Sequence, residues 1–352
     1  MIRVLIADDS ALMRKMLRQI LEADVDIEVV SAARDGEDAV IKAREFQPDV
    51  VTMDVNMPRQ DGITALQYIV MEKICPVVMV SSLTQEGALT TFEALELGAF
   101  DYVAKPGGTV SSNLMEVADE LVYKVKTAAL LKKRGNVTER LARAGYPAAS
   151  APSTSTRSVY KGQIKAVAMG ISTGGPKVIY EVLPRIPGDI NAAFFLVQHM
   201  PPNFTSSYVQ RLQKACDLQV VEVEAGMKVE PGTVYVGRGG RHLNLFKNSI
   251  GEVVVRLPSQ PDHLFIPSVS IMMDSVLKAY GKYTIGVLMT GMGKDGADSM
   301  VKIRQAGGTT IAESEESAIV FGMPGEAIKQ GGADVIAPIW DIPREIIRAV
   351  NR

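Results

Sequence analysis

Two rhythms of apolar positions divide this chain. Over roughly its first hundred residues, short β-rich runs (IRVLIA, IEVVSAA, DVVTM, PVVMVSS and FDYVAK) alternate with stretches of helical period, at Ala11 to Ala23, Gly36 to Phe46, Asp61 to Met71 and Glu86 to Leu97. Strand then helix, five times over, predicts a parallel sheet covered on both faces. Asn113 to Arg134 continues the helical period and ends in KKR, cations that suit the C-terminal end of a helix dipole.

The periodicity then stops. YPAASAPSTSTRS, Tyr146 to Ser158, replaces patterned apolar residues with Pro, Ala, Ser and Thr and reads as a linker. Beyond it, IKAVAMGI, AAFFLVQH and TIGVLMT are unbroken apolar runs of strand length, the pattern of buried parallel strands. The intervening VVEVEAGMKVEPGTVYVGRGGRHLNLFKNSIGEVVVRL alternates apolar and polar residues with Gly, Asn and Pro turns, which predicts antiparallel hairpins. The expected fold is therefore α/β twice: a five-stranded parallel (βα)5 domain at 1–125, a helical extension and flexible linker at 126–160, and a mostly parallel, doubly wound sheet with hairpins at 161–352.

Length and composition agree with two ordinary globular domains: 352 residues, 47% apolar and 22% charged. A formal charge of −2 supplies no basic field for nucleic acid. Two cysteines, Cys75 and Cys216, lie far apart, which argues against a disulfide framework or zinc site and fits a reducing, cytoplasmic setting. The opening MIRVLIADDS predicts no signal peptide, and no uncharged apolar run is long enough to predict membrane insertion.

Candidate chemistry collects at strand ends. Asp8 and Asp9 follow the first predicted strand and Asp54 ends the third, so right-handed crossovers bring three carboxylates to one edge. Two unit charges ~4 Å apart repel by about 4 kcal/mol at an effective dielectric of ~20, so the cluster calls for a cation. Oxygen-only ligands point to Mg²⁺. Ser81 and Lys105 end the fourth and fifth strands and add a hydroxyl and a compact positive charge.

IADDS, MDVNMPRQDG, VMVSS and YVAKPG resemble the motifs of bacterial response-regulator receiver domains. That resemblance implies phosphorylation of Asp54 by a partner histidine kinase, and Mg²⁺ held by Asp8, Asp9, Asp54 and the Asn56 main-chain carbonyl. It also implies phosphoryl contacts from Ser81 and Lys105, with Tyr102 as an aromatic switch.

In the second half, GISTGGP places Ser172 between a strand and a helical pattern. Its hydroxyl is suited to capping that helix, or to nucleophilic attack from a tight turn beside a helix dipole. Gly174 and Gly175 would leave main-chain N–H groups open to a substrate carbonyl. A nucleophilic serine needs a base. Of the three histidines His199 is favoured, because it ends a buried strand, whereas His242 and His263 lie in loop-like sequence. Asp295 follows TIGVLMT and would orient the imidazole; Asp298, expected within a helix, is its rival. The glycines Gly291, Gly293 and Gly296 make their loop a source of oxyanion donors. On position alone, acyl transfer and simple anion binding at a helix terminus remain level alternatives.

GISTGGP, QHMPPNFTSSYVQRL, GRHL, LMTGMGKDGA and VFGMPGEAI resemble, in that order, the catalytic domain of chemotaxis protein-glutamate methylesterases. The resemblance implies Ser172 as nucleophile, His199 as base and then acid, Asp295 as orienting carboxylate, the Met292 main-chain N–H as oxyanion donor and Thr173 as an assisting residue. It implies metal-free hydrolysis of glutamate methyl esters and deamidation of glutamines on chemoreceptors, under control of receiver phosphorylation. Gly237-Arg238, Ser270 and Glu313 depart from the family pattern, where Ala-Pro, aspartate and glutamine are usual. None is expected to touch the triad.

Overall fold

The computed structural model describes residues 1–82, 84–105, 111–134 and 163–352. The expected linker, Tyr146 to Ser158, lies outside the described residues. The chain forms two compact units, Met1–Gly145 and Tyr146–Arg352.

In the first unit the predicted strands become β1 (Ile2–Ala7), β2 (Ile27–Ala33), β3 (Val50–Asp54), β4 (Val77–Ser81) and β5 (Asp101–Ala104). They pair in parallel in the order β2-β1-β3-β4-β5. β3 and β4 are buried along their whole length, as strands covered on both faces must be. Helices α1 (Ala11–Glu22), α2 (Gly36–Phe46), α3 (Gly62–Met71), α4 (Gln85–Glu96) and α5 (Ser111–Arg134) alternate with them. Ser10, Asp35, Asp61 and Thr84 cap the first four, each side chain accepting a first-turn N–H. The chain reverses its direction of travel between β1 and β3, so the crevice at their carboxyl ends is the natural ligand position.

The second unit holds a seven-stranded parallel sheet in the order β14-β13-β12-β6-β7-β9-β8. Its strands are β6 (Lys165–Ile171), β7 (Ala192–Gln198), β8 (Gln219–Glu222), β9 (Thr233–Val236), β12 (Thr284–Leu288), β13 (Thr309–Glu313) and β14 (Val335–Ala337). The alternating segment corrects one expectation. β8 and β9 join the main sheet in parallel, and among the described residues only β10 (Asn244–Lys247) and β11 (Val253–Arg256) form an antiparallel hairpin. Alternation reports one wet face, which the edge strand β8 has in part, whereas β9 is interior to the sheet and buried along its whole length.

β6 lies between β7 and β12, where the winding switches from one wing of the sheet to the other. Every residue of β7 is buried, and Phe194 and Phe195 are among the largest fully enclosed side chains. At ~1.5–3 kcal/mol for each large apolar side chain, these central strands form the rigid base of whatever stands at their ends. Ser172 and His199 directly succeed β6 and β7.

Helices of this unit are the single turn α6 (Gly175–Val178), α7 (Pro202–Ala215), α8 (Val269–Tyr280), α9 (Ala297–Gln305), α10 (Met323–Lys329) and α11 (Ile342–Asn351). After α6 the chain continues as two 3₁₀ turns, Ile179–Glu181 and Leu183–Arg185. The helix expected behind Ser172 is thus a single turn followed by 3₁₀ turns, and little dipole reaches that serine.

Candidate active site

Three adjacent strand ends bring together the three residues the sequence singled out. His199 Nδ1 stands 3.1 Å from Ser172 Oγ, and Nε2 stands 2.9 Å from Asp295 Oδ2. Ser172 does not cap the helical turn behind it. Gly174 is the N-cap and makes no side-chain cap bond, which leaves the serine hydroxyl to the imidazole. The ring of His199 stacks on Phe265 at 4.1 Å between centroids, which fixes its plane.

Asp295 is buried, yet its two oxygens accept five hydrogen bonds. Oδ1 takes the Ser270 N–H (2.9 Å), the Ser270 hydroxyl (2.6 Å) and the Ser268 hydroxyl (3.0 Å). Oδ2 takes the Val269 N–H (2.7 Å) and the ring of His199. Val269 and Ser270 open α8, so the carboxylate occupies the N-terminal end of a twelve-residue helix and consumes its unpaired donors. Burial alone would raise the pKa of this carboxyl, but the His199 hydrogen bond and charge and the Ser270 donors outweigh it and hold the pKa well below the usual range. Asp295 is therefore a fixed anion. Its rival Asp298 lies exposed on α9.

Ser270 therefore touches the triad, contrary to expectation. Its hydroxyl donates to Asp295 and accepts the Gly296 N–H at 2.7 Å, tying the acid to the loop that carries it. Glu313 is the second departure that matters, since its carboxylate accepts the Thr290 N–H at 2.8 Å while Thr290 O accepts the Ser172 N–H at 2.9 Å. Gly237 and Arg238 stand aside, on the Leu196 carbonyl and Glu222.

Gly175 and Gly291 have a different purpose from the one their sequence predicts. The Gly175 N–H is bonded to Ser172 O at 2.8 Å, so it is not open to a substrate. A side chain there would meet Gln198 Oε1 at 2.1 Å, and one at Gly291 would meet Ser172 Cβ at 2.8 Å. Gln198, which sequence reasoning passed over, donates from one amide nitrogen to Ser172 O (3.0 Å) and His199 O (3.1 Å) and so locks the two strand ends together. Thr173 enters the described network through its carbonyl, which accepts the Thr290 hydroxyl at 2.9 Å. His242 is fully buried between the Ser268 N–H and the Pro261 carbonyl, and His263 accepts the Phe265 N–H. Burial pushes the Cys75 and Cys216 thiols up to about 12, so neither is a competing nucleophile.

In the first unit Asp8, Asp9 and Asp54 bring carboxylate oxygens within 4.8 Å of one another. Lys105 Nζ reaches Asp8 Oδ2 (2.9 Å) and Asp54 Oδ2 (2.7 Å) from the end of β5. One ammonium against three carboxylates leaves a deficit of two positive charges. Asp8 Oδ2 is buried and accepts no well-formed hydrogen bond, with the Lys105 ammonium 2.9 Å away and the Asp9 and Asp54 carboxylates close by. Burial is the main cause of the raised pKa of Asp54, with Asp8 adding to it and Lys105 and the Asn56 main chain opposing. Charge deficit, oxygen donors and an unsatisfied buried oxygen together fit a Mg²⁺ site. Ser81 is buried with its hydroxyl on the Gly87 carbonyl at 3.3 Å, turned to α4 rather than bonded to the carboxylates. Tyr102 is buried edge-on to Phe92 with the Lys124 ammonium over its ring.

Residues 4–116 match the response regulator receiver domain, and residues 167–346 match the CheB methylesterase family. The protein-glutamate methylesterase/protein-glutamine glutaminase 3 of Syntrophomonas wolfei is 71% identical over the full length of both chains. The corresponding protein of Caldanaerobacter subterraneus is 50% identical over 99% of this chain and 97% of its own. The CheB methylesterase catalytic domain of Thermotoga maritima, 40% identical, superposes with a TM-score of 0.52 over 53% of this chain and 98% of that one. No helix among the described residues is long and apolar enough to cross a membrane. The chain accordingly belongs to the CheB family of protein-glutamate methylesterases/protein-glutamine glutaminases, with a response-regulator receiver domain preceding the methylesterase domain.

Proposed function

We propose that Ser172, His199 and Asp295 carry out the esterase reaction on methylated glutamates of chemoreceptors, in the cytoplasm, under control of phosphorylation at Asp54. The contact between Ser172 Oγ and His199 Nδ1 at 3.1 Å is the observation that carries this reading.

As Oγ attacks the ester carbonyl, its proton passes to His199 Nδ1 and the carbonyl π pair moves onto oxygen. Met292 N–H would meet the oxyanion, a donor of this kind typically contributing about 2.7–4 kcal/mol. Thr173 would assist beside the nucleophile. Collapse of the tetrahedral species breaks the C–OCH₃ bond, and His199 returns the proton to the departing oxygen, giving methanol and an acyl-serine. Water, deprotonated by the same nitrogen, then releases glutamate and restores Ser172. Asp295 stays ionised throughout and compensates the imidazolium. With ammonia as the leaving group the same steps convert glutamine to glutamate, and neither reaction requires a metal.

In the receiver, 1–125 in this reading, an Asp54 oxygen would attack the phosphorus of a kinase phosphohistidine, breaking the N–P bond. Bound Mg²⁺, held by Asp8, Asp9, Asp54 and the Asn56 carbonyl, would supply charge neutralisation at the phosphoryl group. Lys105 would move its ion pair onto a phosphoryl oxygen, Ser81 would swing its hydroxyl from Gly87, and Tyr102 would report the change. Residues 126–160 would then join this domain to the catalytic one, 161–352. The test is methanol release from methylated receptor membranes, with and without a phosphoryl donor, for the wild type, S172A and D54N. Release by S172A at the wild-type rate would remove the nucleophile, and equal rates with and without donor would remove the control.

A further inference from the structure

Glu313 ends β13, two strands from Ser172 in the sheet, and is fully buried. Its oxygens accept the Thr290 N–H and the Ser317 hydroxyl, each at 2.8 Å, and both donors are neutral. Thr290 is in turn bonded to the nucleophile turn. Its carbonyl accepts the Ser172 N–H, and its hydroxyl donates to the Thr173 carbonyl and accepts the Val320 N–H at 2.9 Å. Glu313 thus grips one end of a peptide whose other end holds the serine.

No cation among the described residues offsets its charge. β12 and β14, which flank β13, carry no titratable side chain. On α9, Lys302 and Arg304 pair with Asp274 and Asp334, and Asp298 is exposed. On α10, Lys329 pairs with Glu326, and on α11 both Arg344 and Arg348 pair with Glu345. Burial acts on Glu313 first, pushing its pKa up to about 7, with the Ser317 hydroxyl and the Thr290 amide opposing. Both protonation states are then populated near neutrality. Once protonated, the acid would donate to the Ser317 oxygen, which also accepts the Ile339 N–H at 2.8 Å. The Thr290 amide is left facing an uncharged oxygen, a weaker acceptor than a carboxylate.

We propose that Glu313 is a positioning residue for the nucleophile: ionised, it holds the Thr290–Ser172 backbone firmly, and protonated, it slackens that hold and slows the reaction. The proposal rests on Ser172 being the nucleophile. Glutamine is close to a permanent copy of the protonated form, with its carbonyl on Thr290 N–H and its amide donating to Ser317.

The experiment uses the full chain and E313Q between about pH 5.5 and 8.5. The Thr290 amide is followed by ¹⁵N NMR, and kcat and KM are measured on a methyl-ester substrate. The amide resonance is expected to titrate through neutrality in the wild type and to stay still in E313Q. The two kcat values should coincide at the acid end, with E313Q about threefold slower at the alkaline end and KM unchanged. Equal amide titration in both proteins would overturn the proposal, because the signal would then come from elsewhere, as from His199. Parallel kcat profiles would overturn it equally. Wild-type-only titration without any esterase activity would keep the contact and discard the catalytic reading on which it was built.

Discussion

Two carboxylate sites stand at equivalent places in two parallel sheets, and they treat their acids in opposite ways. Asp295 is saturated: five donors surround it, four from the start of α8 and one from His199, and they hold its pKa well below the usual carboxylate range. Asp54 is underserved, sharing one lysine with Asp8 and raised in pKa by its burial. Saturation suits an acid that must never react, whereas deficit suits the cation binding and phosphoryl acceptance proposed for Asp54.

The comparison breaks most visibly at the serine. S172A should lower methanol release by at least about 10⁴-fold with an unchanged circular dichroism spectrum; a smaller loss would place the nucleophile elsewhere. D295N keeps the shape of the saturated acid but removes its charge, and turns one of its acceptors into a donor. It should cut kcat by about 10³- to 10⁴-fold, read in the same assay with KM little changed.

Glu313 lies between the two cases, buried and bonded but without a charge partner among the described residues. Its folded pKa is raised above its unfolded value of about 4.3, so the fold prefers its neutral form. The stability it confers is complete below the unfolded pKa and is lost as pH rises through about 7. E313Q should therefore match the wild type in urea titrations near pH 4.5 and exceed it by on the order of 3 kcal/mol at pH 8. Equal stability at pH 8 would mean that water or a mobile cation reaches the carboxylate.

The deficit at the receiver should appear as a gain on adding metal. Millimolar Mg²⁺ is expected to raise the wild-type receiver's midpoint by an equivalent of about 1–3 kcal/mol, and to leave D54N nearly unmoved. Smallest is S270A, which deletes one donor of five. It should lower kcat severalfold while leaving urea stability within about 1–2 kcal/mol, and a loss as large as that of D295N would show that saturation is not shared among donors.

The sequence made the strand ends legible because a buried parallel strand is a short apolar run, and the residue after such a run must stand at the sheet edge. Ser172 and His199 stood out for that reason, as did Asp8, Asp9 and Asp54, whereas Asp295 lies further on, in the glycine-rich loop after β12. The supports were not legible. Gln198 continues an apolar strand and gives no sign that its amide bridges two carbonyls, and nothing in the sequence pairs the start of α8 with Asp295. Ser270 and Glu313 looked like remote departures because register and strand order, which only the fold supplies, decide whom they meet. Alternation misled at β8 since it says nothing of strand direction, and at β9 since Thr233 and Tyr235 alternate with valines without facing water.

The aromatic ring of Phe265, lying flat on one side of His199, has a consequence for traffic through the site. That side is shut to small molecules. In the proposed reaction the departing alcohol and the incoming water would both exchange protons at Nδ1, in the plane of the ring beside Ser172, so they share one approach and a bulky alcohol that lingers there would delay the water.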